Sequence, residues 1–170
     1  SLLMSEILSL KNPKKIDVYQ GFFKTGKGEY GEGDVFLGLT VPQTRGLVKK
    51  YAPTMTLEDV DVLLADIHHE VRLAGVLILV YFAQKKKYPV KELARFYMQH
   101  VSGINNWDLI DTSSEHIIGP YIQHELSHEE RVDFITKCIA SSNLWINRII
   151  VLASFHQIKQ GNGKLTIYIA

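Results

Sequence analysis

The sequence predicts an all-α fold, an α-α superhelix or solenoid of stacked helix pairs, and three observations support this. Helix-start signals recur along the chain, no segment carries a convincing strand pattern, and the most apolar segments begin at a nearly constant spacing. A chain of 170 residues, 46% of them hydrophobic, is long enough to bury one sizeable core. We therefore expect a single domain over residues 1–170, with about nine helices.

Proline and capping boxes mark the helix starts. Proline is tolerated in the first helical turn, and it is found at Asn12-Pro13, Val41-Pro42 and Tyr88-Pro89. A hydroxyl residue followed three positions later by an acidic residue can satisfy the free amides of a helix N-terminus. This pattern pairs Thr56 with Asp59 and Ser127 with Glu130. We expect a helix to begin at each of these five points.

Three apolar helices follow with a regular period. They are predicted over residues 70–83, 107–118 and 144–158, and their segments open at His69, Asn106 and Leu144, which are 37 or 38 residues apart. Each follows a more amphipathic helix, so the repeating unit is an outer helix, a short turn and an apolar inner helix. The period is close to that of HEAT repeats, which stack into arrays with an extended concave surface.

The charge distribution, the hydropathy and the single cysteine exclude few classes of protein. A net charge of +1 gives no bulk sign of a nucleic-acid-binding protein, and the basic clusters taken alone indicate solvated helix faces. No apolar run reaches the roughly 18 residues that a membrane span needs, so we expect a cytoplasmic protein. Cys138 lies in an apolar stretch and is predicted to be a small buried side chain.

A glycine-rich segment over residues 26–34 interrupts the helical pattern and is predicted to be a loop. It contains a formal G-x-G-x-x-G motif. A dinucleotide fingerprint must follow a strand and open a helix, whereas this motif follows a helix and runs into a further glycine. The alternative is a ligand-contacting loop that offers backbone amides, Lys24 and Lys27 to an anion.

A second motif has the form H-E-x-x-H, at His124, Glu125 and His128. On one helix this pattern places two histidines beside a zinc ion. Here Ser127 is the expected N-cap of the next helix, so the motif straddles a boundary and the histidines lose their shared face. We therefore expect no metal site.

The most informative cluster is Trp107 and Asp111, four residues apart and so on one face of a predicted helix near its start. A core tryptophan, with Asn105 as the N-cap and an aspartate favoured by the helix dipole, is the plainer interpretation. Arg148, in the next inner helix, would face the same concave surface, although an isolated arginine is more often an intramolecular ion-pair partner.

Five blocks, taken together and in order, resemble the AlkD-like DNA alkylation repair glycosylases, which are built from HEAT-like repeats. These are F-F-K-T-G-K-G-E-Y-G-E-G-D-V-F-L-G at residues 22–38, P-x-x-R at 42–45, H-E-x-R at 69–72, N-W-D-L-I-D at 106–111 and W-I-N-R at 145–148. The match runs from about residue 15 to about residue 160. It favours a functional role for Trp107 and Asp111 over the core interpretation.

The resemblance implies a monofunctional glycosylase that excises cationic purines, 3-methyladenine and 7-methylguanine, from duplex DNA in base excision repair. Asp111 would stabilise the cationic sugar and orient water, Trp107 would pack against the lesion nucleotide, and Arg148 would hold a backbone phosphate. Lys24 and Lys27 would contact DNA. Double-stranded DNA is the expected partner, the chain is expected to be a monomer, and no metal or organic cofactor is implied.

Two departures from the family pattern leave an alternative open. Relatives continue for further helices, and the glycine-containing segment from residue 161 does not have the pattern of the next helix, so we expect the C-terminal helices to be missing. Phe22 or Phe23 is the nearest match to an aromatic residue that the family places near its N-terminal helix. The alternative is a catalytically inactive HEAT-like scaffold that binds DNA or protein.

Overall fold

The computed structural model describes residues 1–169, and the protein is all-α, as predicted. The first helices are α1 (Leu2–Ser9), α2 (Pro13–Phe22), α3 (Val41–Tyr51), α4 (Leu57–Leu64) and α5 (His69–Gln84). They are followed by α6 (Val90–Gln99), α7 (Trp107–Asp111), α8 (Ser114–Pro120), α9 (His128–Ile139), α10 (Leu144–Ala153), α11 (Phe155–Ile158) and α12 (Lys164–Ile169). Within residues 1–169 no β-strand forms, and a single isolated parallel bridge joins Val35 to His68.

The chain divides into two compact units, Ser1–Ile78 and Leu79–Ala170, and the boundary falls inside α5. In the first unit, α1 packs against α3, and Lys50 at the end of α3 donates a 2.7 Å hydrogen bond to Glu6 of α1. Ile7, Val60 and Leu63 are fully buried in this unit. The single domain expected from the sequence stays a prediction.

In the second unit, α8 packs against α6, α10 and α11, and α10 also contacts α7 and α9. The approach of α8 is close at Gly119, where an added Cβ would lie 2.4 Å from the Cβ of His156 and 2.9 Å from the carbonyl oxygen of Ala153. Contacts below 3.0 Å would force the backbone apart. Glycine at this position therefore allows the helices to pack.

The five predicted helix starts are confirmed. Pro13 occupies the first turn of α2 and Pro42 that of α3, while α6 begins immediately after Pro89. Thr56 caps α4 and Ser127 caps α9, and both capping boxes are complete in both directions. These starts are set by side chains within three residues, which is why the sequence predicts them well.

Two inner helices are shorter than predicted. The expected helix over residues 107–118 breaks after Asp111 into α7 and α8, and the one over 144–158 breaks at Ser154 into α10 and α11. At the breaks, Thr112 donates to the carbonyl of Asp108 at 2.8 Å and Ser154 donates to that of Val151 at 2.7 Å. Such side-chain bonds compete with the backbone hydrogen bonds of a helix, so Thr112 and Ser154 favour a break in the helix at these positions. The helices are therefore shorter and more numerous than expected.

The prediction that the segment from residue 161 forms no helix is wrong, whereas the expectation that the family's further C-terminal helices are missing stays a prediction. Residues 164–169, which lack an obvious helical pattern, form α12, and Asn162 caps its start by accepting a 3.1 Å hydrogen bond from the amide of Lys164. Leu165 is buried in this short helix. One apolar anchor and one cap are thus enough to hold a helix that the sequence pattern does not show.

Two further expectations can be compared with the structure. Cys138 is buried, as predicted, and burial raises the pKa of its thiol to about 11. Over residues 1–169, none of the helices combines the length and the apolar character that crossing a membrane requires.

Candidate active site

Trp107 and Asp111 form the two ends of α7, a helix of five residues. Asn106, which is fully buried, is the N-cap, and its side-chain oxygen accepts a 2.8 Å hydrogen bond from the amide of Trp107. The expectation that Asn105 caps this helix is wrong by one residue, because Asn106 holds the extended backbone that a cap requires. Leu109 and Ile110 are fully buried and anchor the other side of α7.

The helix that carries Arg148 is fixed by two asparagines. Asn143 caps α10 by accepting a 2.8 Å hydrogen bond from the amide of Trp145. Asn147 donates from its amide group to the carbonyl oxygens of Cys138 at 2.8 Å and Ile139 at 3.1 Å, which satisfies the end of α9. The start of α10 is therefore tied both to its own loop and to the preceding helix.

Asp111 and Arg148 are in direct bidentate contact. Nε of Arg148 donates to one carboxylate oxygen and Nη2 to the other, both at 2.7 Å. These are the short, paired distances of a charge-assisted fork. Hydrogen bonding to Asp111 raises the pKa of Arg148, although burial opposes the shift, so the guanidinium stays protonated. The plainer interpretation of Arg148, as an ion-pair partner, therefore describes the structure.

The pair remains open to solvent. The side chains of Arg148 and Asp111 are 38% and 32% exposed. Pairs at this level of exposure stabilise a fold by only about 0 to 1 kcal/mol. Each Asp111 oxygen accepts one N–H and keeps another lone pair, and Nη1 of Arg148 makes no hydrogen bond within the described residues. Both groups can therefore contact a ligand at little cost in stability.

The neighbouring tryptophans and aspartate differ in accessibility. Trp107 and Trp145 are half-buried. Asp108, by contrast, is only 9% exposed, and its carboxylate accepts a hydrogen bond from the amide of Leu109 at 2.9 Å. Asp108 therefore stabilises the helix start, as the plainer interpretation expects, and Asp111 is the accessible carboxylate of α7.

In the first unit, Phe22 and Phe23 have different surroundings. Phe23 stacks on Phe36 with ring centroids 4.9 Å apart, and Phe36 stacks on His69 at 4.6 Å. Phe22 meets Phe23 edge to face and is 63% exposed. Phe23 is therefore mainly structural, and Phe22 is the aromatic side chain of this pair that is available to a ligand.

The glycine-rich segment over residues 26–34 forms turns, as predicted. Lys24 adopts a left-handed conformation with φ of 54°, and its carbonyl oxygen accepts a 3.0 Å hydrogen bond from the amide of Gly31. The two amides at Gly26 and Gly28 are already bonded to Glu29 and Glu32, both at 2.8 Å. The amides of Gly26 and Gly28 are therefore not available to an anion, contrary to the expectation from the sequence. The side chain of Lys27 is exposed.

Sequence reasoning missed the role of Glu70. This carboxylate, only 2% exposed, accepts hydrogen bonds from three consecutive amides: Leu37 at 2.9 and 3.1 Å, Gly38 at 2.8 Å and Leu39 at 3.2 Å. Gly38 has φ of +86°, and an added Cβ would lie 2.3 Å from a backbone oxygen of Asn12. We call Glu70 and these three amides the Glu70 clamp. The signal was a charged residue at the start of an apolar helix.

A second buried network lies beside the Glu70 clamp. Asp34, at the end of the glycine-rich segment, accepts a hydrogen bond from Nη2 of Arg72 and lies 3.0 Å from Nδ1 of His69. Arg72 also donates through Nη1 to the carbonyls of Asp66 and Ile67, both at 3.1 Å. The H-E-x-R block thus has a structural role, since each of its polar residues anchors the preceding segment to α5.

The boundary predicted within the H-E-x-x-H motif is confirmed. His124 and Glu125 end a π-helical turn, Tyr121–Glu125, whereas His128 is the first residue of α9 after its cap. The ring of His124 lies 6.1 Å from that of His156. Among residues 1–169, no three His, Cys, Asp or Glu side chains are grouped so that they could hold a metal ion.

The fold and the site define an all-α protein in which α7 carries a half-buried tryptophan and an exposed carboxylate, and the middle of α10 carries the guanidinium that pairs with this carboxylate. The chain matches the family described as DNA alkylation repair enzyme over residues 3–170, and it belongs to that family. It is thus a repair protein that acts on DNA. No individual curated protein matches the chain.

Proposed function

We propose that this protein is a DNA glycosylase that excises cationic alkylated purines, such as 3-methyladenine and 7-methylguanine, from duplex DNA in base excision repair. The observation that carries the proposal is the solvent-accessible Asp111–Arg148 pair one helical turn from Trp107, in a member of the DNA alkylation repair family. A purine that already carries a positive charge is a good leaving group. The remaining demand is stabilisation of the sugar cation as the N-glycosidic bond breaks.

Asp111 is suited to that demand. Its carboxylate is accessible, and both oxygens keep lone pairs beyond those used by Arg148. A fixed negative charge near the anomeric carbon stabilises the cationic transition state and can orient the attacking water. Because Arg148 holds both oxygens, little reorganisation of the carboxylate is needed during the reaction.

Trp107 lies one turn before Asp111 and is half-buried. We assign it to packing against the lesion nucleotide's sugar. The π face of an indole attracts a cation by about 0.5 to 2 kcal/mol. This interaction grows as positive charge develops on the sugar, so it favours the transition state over the bound substrate.

Arg148 would hold Asp111 and contact a phosphate at the same time. Nε and Nη2 are used by the carboxylate, which leaves Nη1 for a phosphate oxygen of the DNA backbone. Phe22, Phe23, Lys24 and Lys27 are assigned to further DNA contacts; Phe22, Lys24 and Lys27 are exposed, and Phe23 is half-buried. The reaction needs no metal or organic cofactor, and the enzyme is proposed to act as a monomer.

The test is release of 7-methylguanine from methylated duplex DNA under single-turnover conditions, comparing the unaltered chain with Asp111→Asn. Asp133→Asn is a matched control, because Asp133 is also an accessible carboxylate paired with a basic residue, Lys137, at 2.7 Å. We expect release by the unaltered chain and by the control, and at least a ~100-fold loss in Asp111→Asn, the usual range for one electrostatic contact in an active site. No release by the unaltered chain, with DNA binding intact, would indicate the inactive scaffold instead.

A further inference from the structure

Three consecutive hydroxyl residues follow Asp111: Thr112 and Ser113 form the break between α7 and α8, and Ser114 is the first residue of α8. Ser113 and Ser114 are fully buried. Buried hydroxyls are retained only where they find hydrogen-bond partners, because an unpaired one is destabilising. The hydroxyl of Ser113 bonds to α7, which carries Asp111, and that of Ser114 bonds to α10, which carries Arg148.

The first connection runs from α6 through Ser113 into α7. The hydroxyls of Tyr97 and Ser113 are 2.8 Å apart, and Ser113 donates its own proton to the carbonyl of Leu109 at 2.5 Å. Tyr97 must therefore be the donor to Ser113. Tyr97 is fully buried, and burial raises its pKa, so it remains a protonated donor at neutral pH. This series of two hydrogen bonds supplies a partner for the Leu109 carbonyl at the break and fixes α7 against α6.

The second connection runs from Ser114 to α10. The hydroxyl of Ser114 donates a 2.7 Å hydrogen bond to the carbonyl of Ile149, which is the residue after Arg148. Ser114 is itself three residues after Asp111. One buried bond thus joins the backbone segment that carries the carboxylate to the backbone segment that carries the guanidinium.

The bidentate contact depends on how α10 is aligned with α7, which is the register between the two helices. Two parallel N–H···O bonds, both 2.7 Å, form only when the guanidinium and the carboxylate are coplanar and in line. A displacement of α10 by about 1 Å away from the carboxylate would lengthen these bonds to about 3.7 Å, beyond the normal hydrogen-bond range of about 3.2 Å. The exposed pair contributes too little stability to hold that register by itself.

We propose that Ser114 is a positioning residue that sets the register of the Asp111–Arg148 pair, and that the Tyr97–Ser113 chain preserves the helix break that directs the Ser114 hydroxyl to α10. The geometric part of this proposal is independent of the glycosylase assignment, and its catalytic consequence rests on the proposed function.

The test of the geometry uses the free protein and the NMR signal of the Arg148 Nε–H group. Asp111→Asn defines the signal without the carboxylate. Ser114→Ala should move the Arg148 signal toward that of Asp111→Asn, and Tyr97→Phe should move it in the same direction. Ser154→Ala is a matched control, because Ser154 is also a fully buried serine in this unit and its hydroxyl bonds to Val151 and Thr166, away from α7. An Arg148 signal that is unchanged in Ser114→Ala, or equally changed in Ser154→Ala, overturns the proposal.

The kinetic arm measures single-turnover release and DNA binding separately. Displacing a catalytic group by about 1 Å lowers the rate by up to about 100-fold. We expect Ser114→Ala to lose about 10- to 100-fold in the rate of base release with unchanged affinity for DNA, and Ser154→Ala to lose little. Full activity in Ser114→Ala contradicts the positioning role. If the unaltered chain releases no base, the glycosylase proposal fails, and the NMR arm still decides the positioning role.

Discussion

Replacing Glu70 with glutamine changes the Glu70 clamp while keeping its shape. In the native protein the buried carboxylate accepts three amides at 2.8 to 3.2 Å. Hydrogen bonds to a charged acceptor contribute about 1.5 to 3 kcal/mol each, against about 0.5 to 1.5 for neutral ones. Losing the charge therefore lowers the free energy of unfolding by about 1 kcal/mol per bond. For three bonds we expect a loss of about 3 kcal/mol.

Thermal and chemical unfolding measure this loss. For a chain of this length, about 3 kcal/mol corresponds to a fall in Tm of about 6 to 12 °C. Glu32→Gln is the matched control, because Glu32 also accepts a backbone amide, that of Gly28 at 2.8 Å, but is exposed. We expect the control to lose less than about 1 kcal/mol. Hydrogen exchange at Leu37 should also accelerate in the Glu70 variant only. A loss in Glu70→Gln as small as that in the control would mean that the charge of Glu70 does not stabilise the clamp.

Three further predictions follow from individual groups. The Cys138 thiol, with its pKa raised by burial to about 11, should react with a thiol reagent at pH 8 only after unfolding; fast reaction of the native protein would contradict this. Burial, and then the charge of His124, lower the folded-state pKa of His156 below 6.5. The unfolded state therefore binds the proton more tightly, and stability should fall as pH drops through about 6.5, less so in His156→Gln. A fall equal to that of the unaltered chain would exclude His156 as the cause. Replacing either Lys24 or Lys27 with alanine should reduce the salt dependence of DNA binding by about one phosphate contact, a slope change of about 0.9, and an unchanged slope would exclude that lysine from the interface.

The parts of the fold that depend on nearby residues could be predicted from the sequence. The caps at Thr56 and Ser127 and the prolines at helix starts act within three or four residues, so their patterns are visible in the chain. The helix breaks were missed because an apolar pattern continues through them, although the hydroxyl run at Thr112–Ser114 is a local signal of competition with the helix. The Glu70 clamp joins positions more than 30 residues apart, so the sequence shows only a charged residue at the start of an apolar helix and not the amides that it binds.

The candidate site was partly predictable for a different reason. Asp111 and Arg148 are 37 residues apart, within one residue of the 38 that separate Asn106 from Leu144, where their two segments begin. Residues separated by one period occupy equivalent positions on successive inner helices, so stacking brings them together. The repeat therefore accounts for the expectation that Arg148 lies on the same surface as Asp111. That Arg148 would bind the carboxylate through both Nε and Nη2 could not be predicted, because it depends on the register between α7 and α10.

Under the proposed function, Asp111 and Arg148 act as one unit in base excision. A double-mutant cycle on the single-turnover rate of 7-methylguanine release tests it most directly, using Asp111→Asn, Arg148→Lys and the combined variant. Lysine keeps the charge for a phosphate but cannot form the fork to the carboxylate. We expect the combined variant to be no slower than the slower single variant, as is typical of residues that act together. Losses that simply multiply, or full activity in Asp111→Asn, would contradict it.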